Sequence, residues 1–412
     1  MSRRRVAISG IGAVSPLGVG FEPSWKALLA GTSAVATIEG FDASEFPTTF
    51  AAECRGFDPA AYFSTKEVRR LDPFAQFALV AAAEAVEDSG VDLPGTDPTR
   101  AGCVIGSGVG GLTEIEAAHS RLLERGPGRM SAYSFPKLML NAATGEIAIR
   151  HGLEGVSHAV ASACATGTDA IGAGLRMIQY GDADLVLAGG SEAAVTPLAV
   201  GGFSALKALS RRNDEPARAS RPFDADRDGF VLGEGAAILI LEEMELARRR
   251  GARIYAEVLG YRATSDAHHI SAPRPDGRLA AAAMSGCLQD AGLSAQDVGY
   301  VNAHGTSTLL NDAMETRAIR QVFGENAARL AISSTKSMIG HLLGAAGAIE
   351  AAVAARSLAD GVVHPTLNLD RADPECDLDY VPGAARELEL RAALSNSFGF
   401  GGHNASLLLG AV

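Results

Sequence analysis

One tryptophan, nine histidines and five cysteines are spread over 412 residues, and aromatic residues make up only 6% of the chain. The cysteines are odd in number and widely spaced, with no C-x-x-C pair, so neither a disulfide framework nor a common zinc module is expected. Positive charge is short: 36 Lys and Arg stand against 48 Asp and Glu, a net charge of −12, with no basic arm beyond Arg3-Arg4-Arg5. That balance argues against nucleic acid as the main partner. No apolar run reaches the length of a bilayer crossing, because Glu350 interrupts the tract near Ala345. The first residues lead straight into an apolar strand without the hydrophobic segment of a signal peptide, which predicts a cytoplasmic protein with no membrane partner.

Small residues are what the chain has in quantity. Its 47 glycines are scattered singly, pointing to tight turns and close backbone packing rather than low complexity. A chain of 412 residues exceeds the usual single core, so two domains or two fused halves are expected. Asp72-Pro73 opens a helix over residues 73–88 that Gly90 stops. A strand at 101–105 runs into Gly106-Ser107-Gly108-Val109-Gly110-Gly111. No acidic residue follows a second strand about 20 residues later, so a dinucleotide site is not expected, and the glycines serve a close strand-to-helix turn.

Ser162-Ala163-Cys164-Ala165-Thr166-Gly167 lies between a short buried strand expected at 157–161 and a helical pattern of Ala170, Ala173, Gly174, Met177 and Ile178. Unpaired N–H groups and the macrodipole at a helix start favour an anion, so Cys164 is expected to have a lowered thiol pKa and to act as a nucleophile. Two segments echo one another. The Ser162–Cys164 turn resembles Ser333-Ser334-Thr335-Lys336, and a glycine hairpin expected over 230–241 resembles 398–409. Two similar α/β halves follow, mostly parallel, with boundaries at 1–252 and 253–412. The nucleophile falls in the first half and its partners in the second.

Those partners are His304 and His341, each at an element end, and Lys336 in a nearly chargeless stretch. Metal binding by Cys164, His304 and His341 is the rival reading, but their spacings match no common zinc pattern.

Four motifs in order carry a family resemblance: Ala163-Cys164-Ala165-Thr166-Gly167, His304-Gly305-Thr306-Ser307-Thr308, Lys336-Ser337-Met338-Ile339-Gly340-His341, and Asn396-Ser397-Phe398-Gly399-Phe400-Gly401-Gly402. Together with Arg221-Pro222-Phe223-Asp224 and the 228–235 segment, they resemble the β-ketoacyl-acyl-carrier-protein synthases, the elongating type II enzymes most of all. The resemblance implies a thiolase-like duplicated fold of five α/β/α/β/α layers in a homodimer. It also implies decarboxylative Claisen condensation. Cys164 would hold the acyl chain, with the backbone N–H groups of Cys164 and Phe400 forming the oxyanion hole. His304 and His341 would stabilise the enolate, and Lys336 would orient them. Thr306 and Thr308 would bind the pantetheine arm, Phe203, Val109, Ser134 and Phe398 would line the substrate site, and Phe400 and Asp266 would sit on facing gate loops. Glu350 matches a buried acid paired with the lysine.

No cofactor is expected, since phosphopantetheine arrives on the carrier protein. The partners implied are acyl- and malonyl-acyl carrier proteins, docking on Lys66, Arg69, Arg70, Arg129 and Lys207. Two positions depart from the family pattern. His403 stands where many members have threonine and is expected to be supporting rather than catalytic, while Ser134 replaces an aromatic residue. The rival assignments are the ketosynthase of a type II polyketide system, working as a heterodimer with a chain-length partner, and the non-catalytic partner itself, which Cys164 disfavours. A thiolase would need a second cysteine in the C-terminal glycine motif, where Cys376 does not lie.

Overall fold

The computed structural model describes residues 3–412. Five strands of the first half are β1 (Val6–Ser15), β2 (Ala101–Gly106), β3 (Ser157–His158), β4 (Leu185–Glu192) and β5 (Gly235–Glu243). Five more follow: β6 (Ala256–Ser265), β7 (Val298–Asn302), β8 (Ala331–Ser333), β9 (Ala392–Gly399) and β10 (His403–Gly410). Their order across the sheet is β3-β2-β4-β5-β1 in one half and, mirrored, β8-β7-β9-β10-β6 in the other. Among these ten strands each half has two parallel pairings and two antiparallel ones, so the sheets are mixed rather than mostly parallel. A two-residue contact of β1 with β6, Ala7 opposite Glu257 and Ile8 opposite Ala256, joins them.

Helices fill three layers around the two sheets. On one outer face lies α1 (Pro73–Ser89), N-capped by Asp72 and stopped by left-handed Gly90; α2 (Leu112–Arg125) follows β2. Between the sheets run α3 (Thr166–Tyr180) and α6 (Ala346–Asp360), which pack on each other and on strands of both halves. The far outer face carries α4 (Arg278–Ala291) and α5 (Leu309–Phe323). This is the α/β/α/β/α arrangement expected. Buried aliphatic strands and the alanine-rich α6 need both faces covered, which a central helical layer supplies.

Three local expectations change. The segment before the cysteine is not a buried strand: β3 is two exposed residues at a sheet edge. The glycine stretch at 229–235 is no hairpin; β5 pairs along its length with β4, from Glu192 opposite Gly235 to Leu185 opposite Glu242, and the true tight hairpin is β9–β10, where Gly399 faces His403. The cysteine turn also has a different counterpart. A short 3-10 turn at Ala163–Ala165 precedes α3, and an equivalent one at Leu343–Ala345 precedes α6. Each opens on a residue with positive φ, Ala163 at 51° and Leu343 at 46°, so Gly344 is the structural equal of Cys164. Lys336 lies in a longer connection after β8, which carries a short helix, Lys336–Ile339, and His341.

Candidate active site

Cys164 sits in the 3-10 turn ahead of α3, at the convergence of both halves. Gly399 at the end of β9 comes so close that an added Cβ would lie 2.9 Å from Ser162 O and 3.0 Å from Cys164 N. The chain therefore turns directly over the nucleophile, and the Phe400 N–H bonds the Cys164 sulfur. The Phe400 N–H is thus at the sulfur and Cys164 N lies beside the same turn, and two such backbone donors are what an oxyanion needs.

His304 follows β7 and His341 follows the Lys336 helix; one ligating atom from each lies within 4.8 Å of the Cys164 sulfur and of the other. Their rings meet edge to face with centroids 5.3 Å apart. The Leu343 N–H donates to His341 Nδ1 at 3.2 Å, so the ring proton is on Nε2, which is buried without a partner. Lys336 Nζ lies 3.3 Å from His304 Nδ1; because an ammonium only donates, that proton is on Nε2 as well. Burial, reinforced by the Lys336 charge, holds both imidazoles neutral, well below the ordinary histidine range, and His341 adds to this at His304. Two neutral rings thus offer N–H donors. A metal ion needs lone pairs at those nitrogens, and taking them would cost the Leu343 hydrogen bond.

The cysteine is not a resting thiolate. Burial pushes its thiol up to about 11, against the opposing pull of the Lys336 charge and the Phe400 N–H. A three-residue 3-10 turn buried in protein costs the thiolate more in lost hydration than the helix terminus returns.

Carboxylates that sequence reasoning did not single out hold the frame. Glu315 on α5 accepts the His304 and Gly305 N–H groups at 2.9 and 2.8 Å, and burial pushes it up to about 7. Glu192 at the end of β4 accepts Ser107 Oγ and the Gly108 and Val109 N–H groups, and also the N–H of Gly344 at 2.9 Å. Glu192 carried a sequence signal, a lone acid in a run of small and glycine residues, whereas Glu315, with Asp312 and Arg317 close by, carried none. Glu350 on α6 pairs with Lys336, as expected, and burial pushes it up to about 7. Its second oxygen, Asn302 Oδ1 and Ser395 Oγ are buried polar atoms without partners, and Asn302 faces Ser395 across β7–β9.

Around Cys164 opens a cavity of about 360 Å³ lined by Val109, Phe203, Asp266, His304, Thr306, Thr308, His341, Phe398 and Phe400, among others. Phe398 packs on His304 at 5.8 Å, and Phe203 lies 6.4 Å from Phe400. Thr306 and Thr308 share a hydroxyl hydrogen bond at 2.9 Å, and Thr308 also N-caps α5. Asp266 accepts from Asn404 Nδ2 and the Arg274 N–H, each at 2.8 Å, and its own N–H donates to Gly402 O, tying its loop to the glycine-flanked Phe400 loop.

Ser134 does not line this cavity. It is buried and donates to Glu114 Oε1 at 2.5 Å, a carboxylate also paired with Lys137 and Arg121. A polar side chain beside a buried charge turns inward, where the aromatic it replaces has no such partner. His403 is exposed and does not line the cavity. Lys66, Arg69, Arg70, Arg129 and Lys207 are all exposed, but only Lys207 lines the cavity, and Arg70 stacks over Tyr133.

Residues 3–247 match the model of the beta-ketoacyl synthase N-terminal domain, and residues 255–370 match that of the C-terminal domain. The chain is 49% identical to a 3-oxoacyl-acyl-carrier-protein synthase 2 of Coxiella burnetii over the whole of both chains. It superposes with a TM-score of 0.92 on a beta-ketoacyl synthase from Burkholderia phymatum, at 39% identity and covering 99% of this chain and 100% of that one. A ketosynthase solved with its type II polyketide acyl-carrier protein and bound to the hexaketide matches with a TM-score of 0.93 at 36% identity, both chains fully covered.

Proposed function

The chain belongs to the β-ketoacyl synthase family, and from that premise we propose how its residues carry out the reaction. The reaction is condensation of an acyl thioester with malonyl-acyl-carrier protein in fatty-acid elongation. Cys164 attacks the acyl thioester; its S–H proton leaves with the pantetheine thiol, and the acyl chain stays on sulfur. Malonyl-carrier protein then enters and its carboxylate C–C bond breaks, releasing CO2 and placing the electron pair on the thioester enolate. The Nε2–H groups of His304 and His341 donate to that enolate oxygen. Its carbon attacks the acyl-cysteine, and the tetrahedral oxyanion is held by the Cys164 and Phe400 N–H groups. Collapse expels the Cys164 thiolate, which takes up one proton, so the cycle consumes a proton for each CO2 released.

The observation that carries this reading is the matched tautomer of two buried, neutral imidazoles beside one thiol. Lys336 orients His304, while Thr306 and Thr308 offer hydroxyls to the pantetheine arm that the carrier brings. Intact-protein mass spectrometry after incubation with acyl-carrier thioesters tests the first step; absence of an adduct on Cys164 would overturn it. The second reading, a type II polyketide ketosynthase, draws support from the likeness to the hexaketide-bound enzyme, but the 49% relative favours fatty-acid elongation. Turnover of poly-β-keto chains and none of saturated ones would reverse that choice.

No helix among the described residues is long and apolar enough to cross a membrane, and a cytoplasmic site of action fits. Homodimerisation through the open edge of β3, flanked by exposed Ile149 and Val156, is the assembly this surface favours. Light scattering of a monomer would count against it.

A further inference from the structure

Two residues before the nucleophile, Ser162 is held by a carboxylate that the reaction scheme leaves unused. Asp169, in the first turn of α3, accepts the Ser162 hydroxyl at Oδ2 and the Tyr261 hydroxyl at Oδ1, the latter at 2.8 Å. Tyr261 stands on β6, in the other half of the molecule, opposite Leu407 of β10. Its ring packs on α3 at Gly172, where an added Cβ would lie 2.4 to 2.5 Å from three ring carbons, so a glycine there lets the hydroxyl reach Asp169. Ser162 is tied at its backbone too: its N–H donates to Thr166 Oγ1 at 2.8 Å and its carbonyl accepts the Ala165 N–H at 3.1 Å. That same carbonyl meets Gly399, the residue before Phe400. Ser162 thus lies between the turn bearing Cys164 and the strand end bearing Phe400, which supply the two oxyanion donors.

The fold does not ask for this carboxylate. The turn at Leu343–Ala345 has the same left-handed first residue and the same helix behind it. Counted from Gly344 as from Cys164, the positions matching Ser162 and Asp169 are Leu342 and Ile349, both buried and apolar. The half without a nucleophile packs this join with hydrocarbon. The half with one places a carboxylate there although burial penalises its charge and raises its pKa above the ordinary aspartate value.

We propose that Asp169, through the hydroxyls of Ser162 and Tyr261, is a positioning residue that sets the spacing of the Cys164 and Phe400 N–H groups for acyl transfer. This deepens the condensation reading above and rests on it. Ala163, between Ser162 and Cys164, sits at φ +51°, a conformation that residues other than glycine keep only where their surroundings hold them. Asp169 supplies that hold from the helix on one side and from β6 on the other. The thiol's ionisation and the decarboxylation belong to other groups. Lys336, Glu192 and Glu350 are the charges that act on the sulfur, and the two imidazoles are carried by β7 and the Lys336 connection. Loss of the hold therefore falls on the geometry of the oxyanion donors, where a displacement of an ångström is costly.

The test uses the full chain and three readouts: acylation of Cys164 by octanoyl-N-acetylcysteamine, followed by intact mass; alkylation by iodoacetamide; and CO2 release from malonyl-carrier protein. Iodoacetamide reacts by displacement at a saturated carbon and builds no oxyanion, so it reads the thiol alone. Asp169→Ala is expected to lower the acylation kcat about tenfold with little change in KM, while the alkylation profile from pH 7 to pH 10 and the rate of CO2 release stay within about twofold of wild type. Asp169→Asn, whose amide can donate to Ser162 Oγ and accept from Tyr261, is expected to recover most of the rate. Adding Ser162→Ala to Asp169→Ala is expected to cost nothing further, since both remove the same contact. Where Asp169→Ala does not fold, Tyr261→Phe removes one of the two hydroxyls and is expected to show the same split at several-fold. Equal losses in all three readouts overturn the proposal, as does an unchanged acylation rate. An asparagine variant as slow as the alanine one also overturns it, because the charge rather than the hold would then matter. A wild type that acquires no acyl group on Cys164 defeats the condensation reading and the proposal together, whereas normal acylation of both wild type and Asp169→Ala defeats the proposal alone.

Discussion

At Cys164 two tendencies oppose each other: a helix start draws charge onto sulfur, and burial drives it off. Burial wins, so the free thiol is protonated near neutrality, and the thiolate fraction grows about tenfold per pH unit below the raised value of about 11. Alkylation by iodoacetamide is therefore expected to climb steadily from pH 7 to pH 10; a plateau near pH 7 would mean a preformed thiolate. The histidines make a different prediction. Removing one buried donor to a developing oxyanion typically costs about 100- to 1000-fold. His341→Ala is expected to lose malonyl decarboxylation by that factor while Cys164 is still acylated, measured by CO2 release against intact mass. Loss of acylation with decarboxylation intact would overturn the assignment. At this scale the sequence was a good guide to residue type, since Cys164, His304, His341 and Lys336 do converge. It misjudged Ser134, whose partner Glu114 is twenty positions away and had given no sign of being buried.

Elements were legible where one face is apolar and the ends are punctuated. The helix from Pro73 has its Asp72 cap and Gly90 stop, and α4 has Gly292. In contrast, α5 left no clear periodic signal. Its buried residues mix Ala313, Met314, Ala318, Ile319 and Phe323 with Asp312 and Glu315, whose partners are Arg227 and the loop around His304, so framing charges interrupt the apolar stripe. The echo between halves was legible as an order of elements but not in register, because the second half inserts the Lys336–His341 connection before its own turn at Leu343. The β9–β10 hairpin carries its own prediction. Gly399→Ala puts a methyl group against Ser162 O and Cys164 N, both backbone atoms that cannot rotate away. The variant is expected to remain folded, with a melting temperature within a few degrees of wild type, and to lose at least about tenfold in kcat as the Phe400 N–H shifts from the oxyanion. An unchanged kcat would show that this backbone donor is not used.

Across the whole molecule, buried titratable groups pull stability in opposite directions. Glu234, Glu315 and Glu350 are each pushed up to about 7 by burial, so the folded chain binds more protons than the unfolded one between about 4.5 and 7. Their contribution to stability is fully present below about 4.5 and is lost as pH rises through 7. His304, His341 and His364, buried and neutral, act oppositely: stability falls as pH drops below about 6.5 because the unfolded chain takes up protons that the folded one refuses. Glu234→Gln, away from the cavity, isolates one term. Relative to wild type it is expected to be more stable in urea titrations at pH 8 than at pH 5, and a difference independent of pH would overturn the raised value. The order of motifs, the residue types that carry acyl-transfer chemistry and the repetition of an α/β half were all determined by the amino-acid sequence alone, because they are properties read along the chain. The protonation of the thiol, the tautomers of two imidazoles and the equivalence of Gly344 with Cys164 were decided only by the tertiary structure. Each depends on burial and on distances between residues far apart in sequence, and those quantities exist only once the two halves have packed.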